Sequence, residues 1–210
     1  MDRRELIKRA IAGSAVALID SLALPAALAA DEQNHPPAAF TALFNGQDLT
    51  GWKDADKQAE FWKVEDGVLH WVGKGGRDLT TAENYRDFEL WIDWRLDPKG
   101  GDSGVFLRGR PQAQVQIWDI KEGSGGLLHN AKDSPGQRPT TAADHKLGEW
   151  NTFWIKMVGN RVTVKLNGQL VVDDCVLQDD KTPAEGPLVL EAHRGALSFR
   201  NIFVKRLAAE

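Results

Sequence analysis

After residue 30 the sequence alternates polar and apolar residues with a period of two, and no stretch holds a helical period for three turns. Phe88, Leu90, Ile92, Trp94 and Leu96 alternate with Glu89, Trp91, Asp93 and Arg95. Val162, Val164 and Leu166 alternate with Arg161, Thr163 and Lys165, and Leu188, Leu190 and Ala192 with Val189, Glu191 and His193. Successive strand side chains point to opposite faces, so each run predicts a half-buried strand. Turn signals separate the runs: Asn45-Gly46, Glu65-Asp66-Gly67, Pro98 to Gly101, Gly159-Asn160 and His193 to Gly195. The string VTVKLNGQLVVD predicts a hairpin turned at Asn167-Gly168. Many short strands with regular turns restrict the chain to an all-β sandwich or barrel.

The first thirty residues stand apart from that pattern. MDRRELIKRA carries positive charge, the following stretch is apolar and small, and Ala27-Leu28-Ala29 fits a signal-peptidase site. Residues 1–30 are therefore expected to be an export signal, and Arg3-Arg4 suggests the twin-arginine type. Asp20 and Pro25 argue against a stable membrane span. The expected organisation is a signal at 1–30, a polar Pro-bearing lead-in at 31–37 and one domain over 38–208, located in the periplasm or secreted. Removing four basic and three acidic side chains takes the net charge from −4 to −5. A mildly acidic chain without a basic stripe is unsuited to nucleic acid. The single cysteine, Cys175, forms no intrachain disulfide, and its neighbours Asp173 and Asp174 disfavour a thiolate.

The segment Gly101 to Asp119, GDSGVFLRGRPQAQVQIWD, carries the strongest functional pattern. It reads as strands GVFLRGR and AQVQIWD. Parity places Phe106 and Arg108 on one side of the first, and Gln114, Gln116 and Trp118 on one side of the second. A guanidinium, two carboxamides and an indole on one surface suit a polar, ring-shaped ligand such as a sugar. His193 and Glu191 share a strand face two residues apart, and either could serve as a general base. Parity predicts that Arg108, Gln116 and Glu191/His193 face one concavity. Asp119, after Trp118, and Asp93, beside Glu89 and Arg95, add carboxylates, so a divalent cation is conceivable, although no compact ligand motif is present. The 30 residues from Ile120 to Glu149 lack a strand pattern and are expected to line the binding surface, bringing His129 to it. No serine-nucleophile motif, Walker loop, dinucleotide fingerprint or paired-acid glycosidase motif occurs.

The strings FTALFNGQDLTGW, DFELWIDWRL, DSGVFLRGR, VQIWD, GEWNTFWIKMVGNRVTVKLNGQLVVD and GPLVLEAHRGALSFRNIFVKRL, covering about residues 38–207, resemble the exported 3-keto-disaccharide hydrolase family. That resemblance implies a jelly-roll sandwich of the concanavalin A-like lectin and glucanase type. It also implies an enzyme that cleaves glycosidic bonds of 3-keto sugars by elimination and hydration at C1–C2. His193 or Glu191 would then be the base, with Arg108 and Gln116, or a bound cation, polarising the ketone. Three positions depart from the family's usual residues. Asp102 stands for an asparagine, Gln114 for a glutamate, and Glu191-Ala192-His193 for Gln-Asp-His. The loss of a glutamate at Gln114 keeps a second reading open, a non-catalytic carbohydrate-binding module on the same sandwich.

Overall fold

The computed structural model describes residues 37–109, 113–128, 130, 133–177 and 182–208. The proposed export signal and nearly all of the lead-in lie outside the described residues. Among the described residues twelve strands and one helical turn follow in chain order: β1 (Thr41–Ala42), α1 (Ala55–Gln58), β2 (Trp62–Glu65), β3 (Val68–Trp71), β4 (Leu79–Thr80), β5 (Phe88–Leu96), β6 (Asp102–Phe106), β7 (Gln114–Trp118), β8 (Asn151–Val158), β9 (Arg161–Leu166), β10 (Gln169–Val176), β11 (Val189–Leu190) and β12 (Leu197–Arg206). The first two period-two runs form strands as expected, whereas of the third, Leu188 to His193, only Val189–Leu190 pairs as a strand. β5 buries Phe88, Leu90, Ile92, Trp94 and Leu96, and β9 buries Val162, Val164 and Leu166. The β9–β10 turn puts Asn167 and Gly168 at φ 49° and 80°, the pair of positive values that a type I′ turn demands.

The strands divide into two antiparallel sheets, the sandwich the alternation predicts. The large sheet runs β10-β9-β8-β5-β12-β3-β2, with β1 also paired to β12; the small one runs β4-β11-β6-β7. β12 is the hub of the large sheet, pairing with β1, β3 and β5. Inner faces of both sheets meet in one core, where Leu90, Ile92, Ile155, Val164 and Phe199 face Leu79, Val105, Val115, Ile117 and Leu190. Phe106 and Val189 are also buried but fall outside that core, because they point from the opposite face of the small sheet. That opposite face carries the site.

The long segment between β7 and β8 extends the small sheet instead of hanging over it. Gly125 and Leu128 donate to the carbonyls of Gln116 and Gln114, and Gln116 donates to that of Gly126, so the segment covers the free edge of β7. It then crosses to the large sheet, where Thr140 N–H donates to Val171 O and Asn130 Nδ2 to Val176 O. Its far end is pinned by Asn151, whose Oδ1 accepts from His145 N–H and Asn167 Nδ2, both at 2.8 Å. The expected ligand-lining loop is thus chiefly a lace between two sheet edges. Cys175 packs beside Gly136 in this lace, and burial first, then Asp173 and Asp174, pushes its thiol pKa up. Among the described residues no helix is long and apolar enough to cross a membrane.

Candidate active site

Pairing order brings together residues far apart in sequence. Phe106 lies opposite Gln114 and Val189, and Gly104 opposite Gln116. Residues directly opposite in an antiparallel pair share a face. Just past β11 the ladder continues, with Glu191 N–H donating to Gly104 O at 2.9 Å. Glu191, Gly104 and Gln116 therefore form one cross-strand row beside the row of Val189, Phe106 and Gln114. Glu191 and Gln114 are both buried, at 8% and 1% exposure, and Gln114 Nε2 donates to Glu191 Oε2 at 2.5 Å. The carboxylate that departs from the family pattern on one strand thus touches the carboxamide that departs on another.

Two residues farther on, His193 Nδ1 sits 3.3 Å from Asp102 Oδ2, with the imidazole 57% exposed. Backbone bonds between Asp102 and Arg194 in both directions hold this corner in register. The result is a carboxylate–imidazole pair at the rim and a carboxylate–carboxamide pair beneath it. An open cleft of about 650 Å³ lies against Glu191, Ala192 and His193; Lys53, Gln58, Arg77 and Asp78 form much of its other wall. α1 is a single turn whose Gln58 is buried, with Nε2 toward Asp78 O at 3.4 Å. Asp78 Oδ1 accepts from Ala192 N–H at 3.0 Å, tying the two walls together.

Arg108 does not join this cluster. β6 ends at Phe106, and Arg108 takes a left-handed backbone at φ 64°, which removes it from strand parity. Its guanidinium is buried against Asp87, with Nη2 3.0 Å from Oδ1. Nε donates to Arg86 O at 2.6 Å and Nη1 to Gly159 O at 2.7 Å. Burial pulls its pKa below the ordinary value and Asp87 pulls it back. All three of its nitrogens bond inside the protein and the side chain is buried, so it is held as a structural cation away from the Glu191 cleft.

The other expected residues separate as well. Asp93 lies on the outer face of the large sheet, accepting from Thr152 Oγ1 at 2.7 Å and Asn201 Nδ2 at 2.8 Å, with Arg200 Nε at 3.3 Å. Trp118 and Asp119 line a smaller cleft of about 210 Å³ with Trp94, His145, Glu149 and Asn151. Gln116 stays in the row of Glu191, while His129 lies outside the described residues. Lys53, Gln58, Arg77, Asp78 and Asp102 were not anticipated. Asp102 alone left a signal, sharing the parity of Gly104 and Phe106 in DSGVF. The others come from short connections with no local motif. Among the described residues no group of three or more His, Cys, Asp or Glu side chains is placed to hold a metal ion.

The family described as 3-keto-alpha-glucoside-1,2-lyase-like domain matches residues 39–205. A 3-keto-disaccharide hydrolase of Bacteroides thetaiotaomicron is 33% identical over 77 residues, which cover 32% of this chain and 26% of that protein. The match thus spans about a quarter of that relative's length. Among solved structures, a protein named as a candidate glycosyl hydrolase from Parabacteroides distasonis is 27% identical, with a TM-score of 0.66 over 81% of this chain and 85% of its own. A second protein so named from that organism is 22% identical, with a TM-score of 0.66 over 84% of this chain and 100% of its own, a likeness of fold alone.

Proposed function

The chain belongs to the 3-keto-alpha-glucoside-1,2-lyase-like domain family, and from that premise we propose that it is an exported carbohydrate-active enzyme cleaving the glycosidic bond of 3-keto sugars. The observation that carries the reading is the placement of Glu191, hydrogen-bonded to Gln114, beside the His193–Asp102 pair in one open cleft. A ketone at C3 acidifies the proton on C2. Glu191 takes that proton, the C2–H electron pair becomes the C1=C2 bond, and the C1–O bond breaks. His193, oriented through Nδ1 by Asp102, hands a proton from Nε2 to the departing oxygen; water adds across C1=C2 afterwards. Charge developing on the ketone oxygen needs a cation, and Lys53 and Arg77 of the same cleft take the part that Arg108 cannot. Position 114 carries a carboxamide, but Glu191 in contact with it supplies a carboxylate, so the departure at Gln114 relocates an acid group.

The test is direct. Purified protein is incubated with 3-keto-glucosides and with the same sugars unoxidised, and released sugar is measured. Release from the oxidised sugars alone is expected. Equal release from both would refute the elimination, since the C2 proton without the ketone is far too weakly acidic for a side-chain base. Binding without release from either would instead establish a binding module.

A further inference from the structure

We propose that Gln114 is a positioning residue for Glu191, and that it reaches Glu191 only because position 104 is glycine. Gln114 is on β7 and Glu191 follows β11; β6 runs between them. The amide therefore crosses an intervening strand. A Cβ at Gly104 would stand 2.2 Å from Gln114 Nε2, 2.7 Å from its Cγ and 2.8 Å from its Cδ, so the side chain fills the hollow a larger residue would occupy. Gly104 is absent from the positive-φ residues, so its backbone does not demand glycine; the crossing amide does. Among the described residues Gln114 Oε1 is buried without a hydrogen-bond partner. Among the described residues the bond from Nε2 to Glu191 is what satisfies this buried amide, and losing it would leave the whole amide unpaired. An N–H aimed at a carboxylate holds both its rotamer and its ionised form. Among the described residues, the charged and titratable groups that line the cleft with Glu191 are Lys53, Asp54, Arg77, Asp78 and His193, with Asp102 behind the imidazole. None comes from β7, so Gln114 acts there without a charge of its own.

This inference rests on the reading of Glu191 as the base, yet its primary test does not need turnover. The ionisation of Glu191 is followed by carboxyl-carbon NMR in glutamate-labelled protein, assigned by loss of the signal in Glu191→Gln. In Gln114→Met the midpoint is expected to rise by about one to two pH units, the scale of one hydrogen bond to a charged group. The acid limb of kcat/KM should move upward with it. Gly104→Ala keeps the amide but blocks its path and should shift the midpoint in the same direction, which covers the case in which Gln114→Met fails to fold. An unchanged midpoint in whichever of the two variants folds overturns the proposal. If the wild type leaves 3-keto-glucosides intact, the proposed activity fails, while the NMR midpoints still decide the role of Gln114.

Discussion

Arg108 with Asp87 and Glu191 with Gln114 are both buried polar contacts built across long sequence separations, yet they are constructed oppositely. The Arg108 guanidinium also bonds three main-chain carbonyls, those of Arg86, Gly159 and Pro183, and Asp87 Oδ1 accepts from Gly159 N–H at 2.7 Å as well. Little of its capacity is left for a ligand. Glu191 lies against an open cleft, next to an exposed imidazole and a wall bearing two cations. Hydrogen-bonding groups that are fully spent hold a fold together; groups held in place at a cleft wall are available for chemistry. Sequence parity cannot tell these apart, because it registers the residue type and not how many partners surround it.

The largest effect expected is on the closed node. Arg108→Ala leaves Asp87 as a buried charge without its cation and should destabilise the protein by about 3–5 kcal/mol, read by urea denaturation. A melting temperature near wild type would erase the distinction between the two regions. The open cluster should behave in reverse. Glu191→Gln keeps size and hydrogen bonding and should cut turnover on 3-keto-glucosides about a hundredfold or more, while thermal unfolding stays close to wild type. Loss of stability without loss of turnover would make Glu191 a structural residue too.

Asp102→Asn sharpens the comparison within the open cluster. It removes the charge behind His193 but retains an acceptor, so turnover should fall only about tenfold, below the scale of losing an acid–base group outright. The fall is read as sugar released from 3-keto-glucosides. The smallest effect concerns His70, the closed counterpart of His193. Its Nδ1 meets Ser198 Oγ at 2.9 Å, and burial, ahead of the opposing pull of Glu65, lowers its pKa below the ordinary value. The unfolded chain then takes up the proton first, so stability present above about pH 6.5 is lost gradually as pH falls below it. His70→Gln should flatten that slope slightly in urea midpoints compared on either side of about pH 6.5.

Strands whose two faces differ in polarity were legible in the sequence. Phe88 to Leu96 forms one strand with the predicted inner face, and the Asn167-Gly168 hairpin turns where the dipeptide requires. Arg108 was misplaced because parity was carried two residues beyond Phe106 into a left-handed residue, and the partner that captures it, Asp87, lies just before β5. The union of Gln114 with Glu191 was legible only in halves. Each residue's parity was readable, but their contact depends on β6 lying between β7 and β11, and on the missing side chain at Gly104. Lys53 and Arg77 enter from connections with no periodicity to extrapolate.

The position of β12 sets the order in which this molecule can assemble. β1, β3 and β5 all wait for residues 197–206 before the large sheet has a middle, and the register joins Thr41 to Val204 and Phe88 to Arg206. A nascent chain emerging from the ribosome can close the β9–β10 hairpin early, but its central pairings span about half the polypeptide or more and come last. The same arrangement makes residues 197–206 the strand whose loss costs the large sheet most. Trimming that strand opens the sheet along its centre line, where loss of β10 would shorten only its margin.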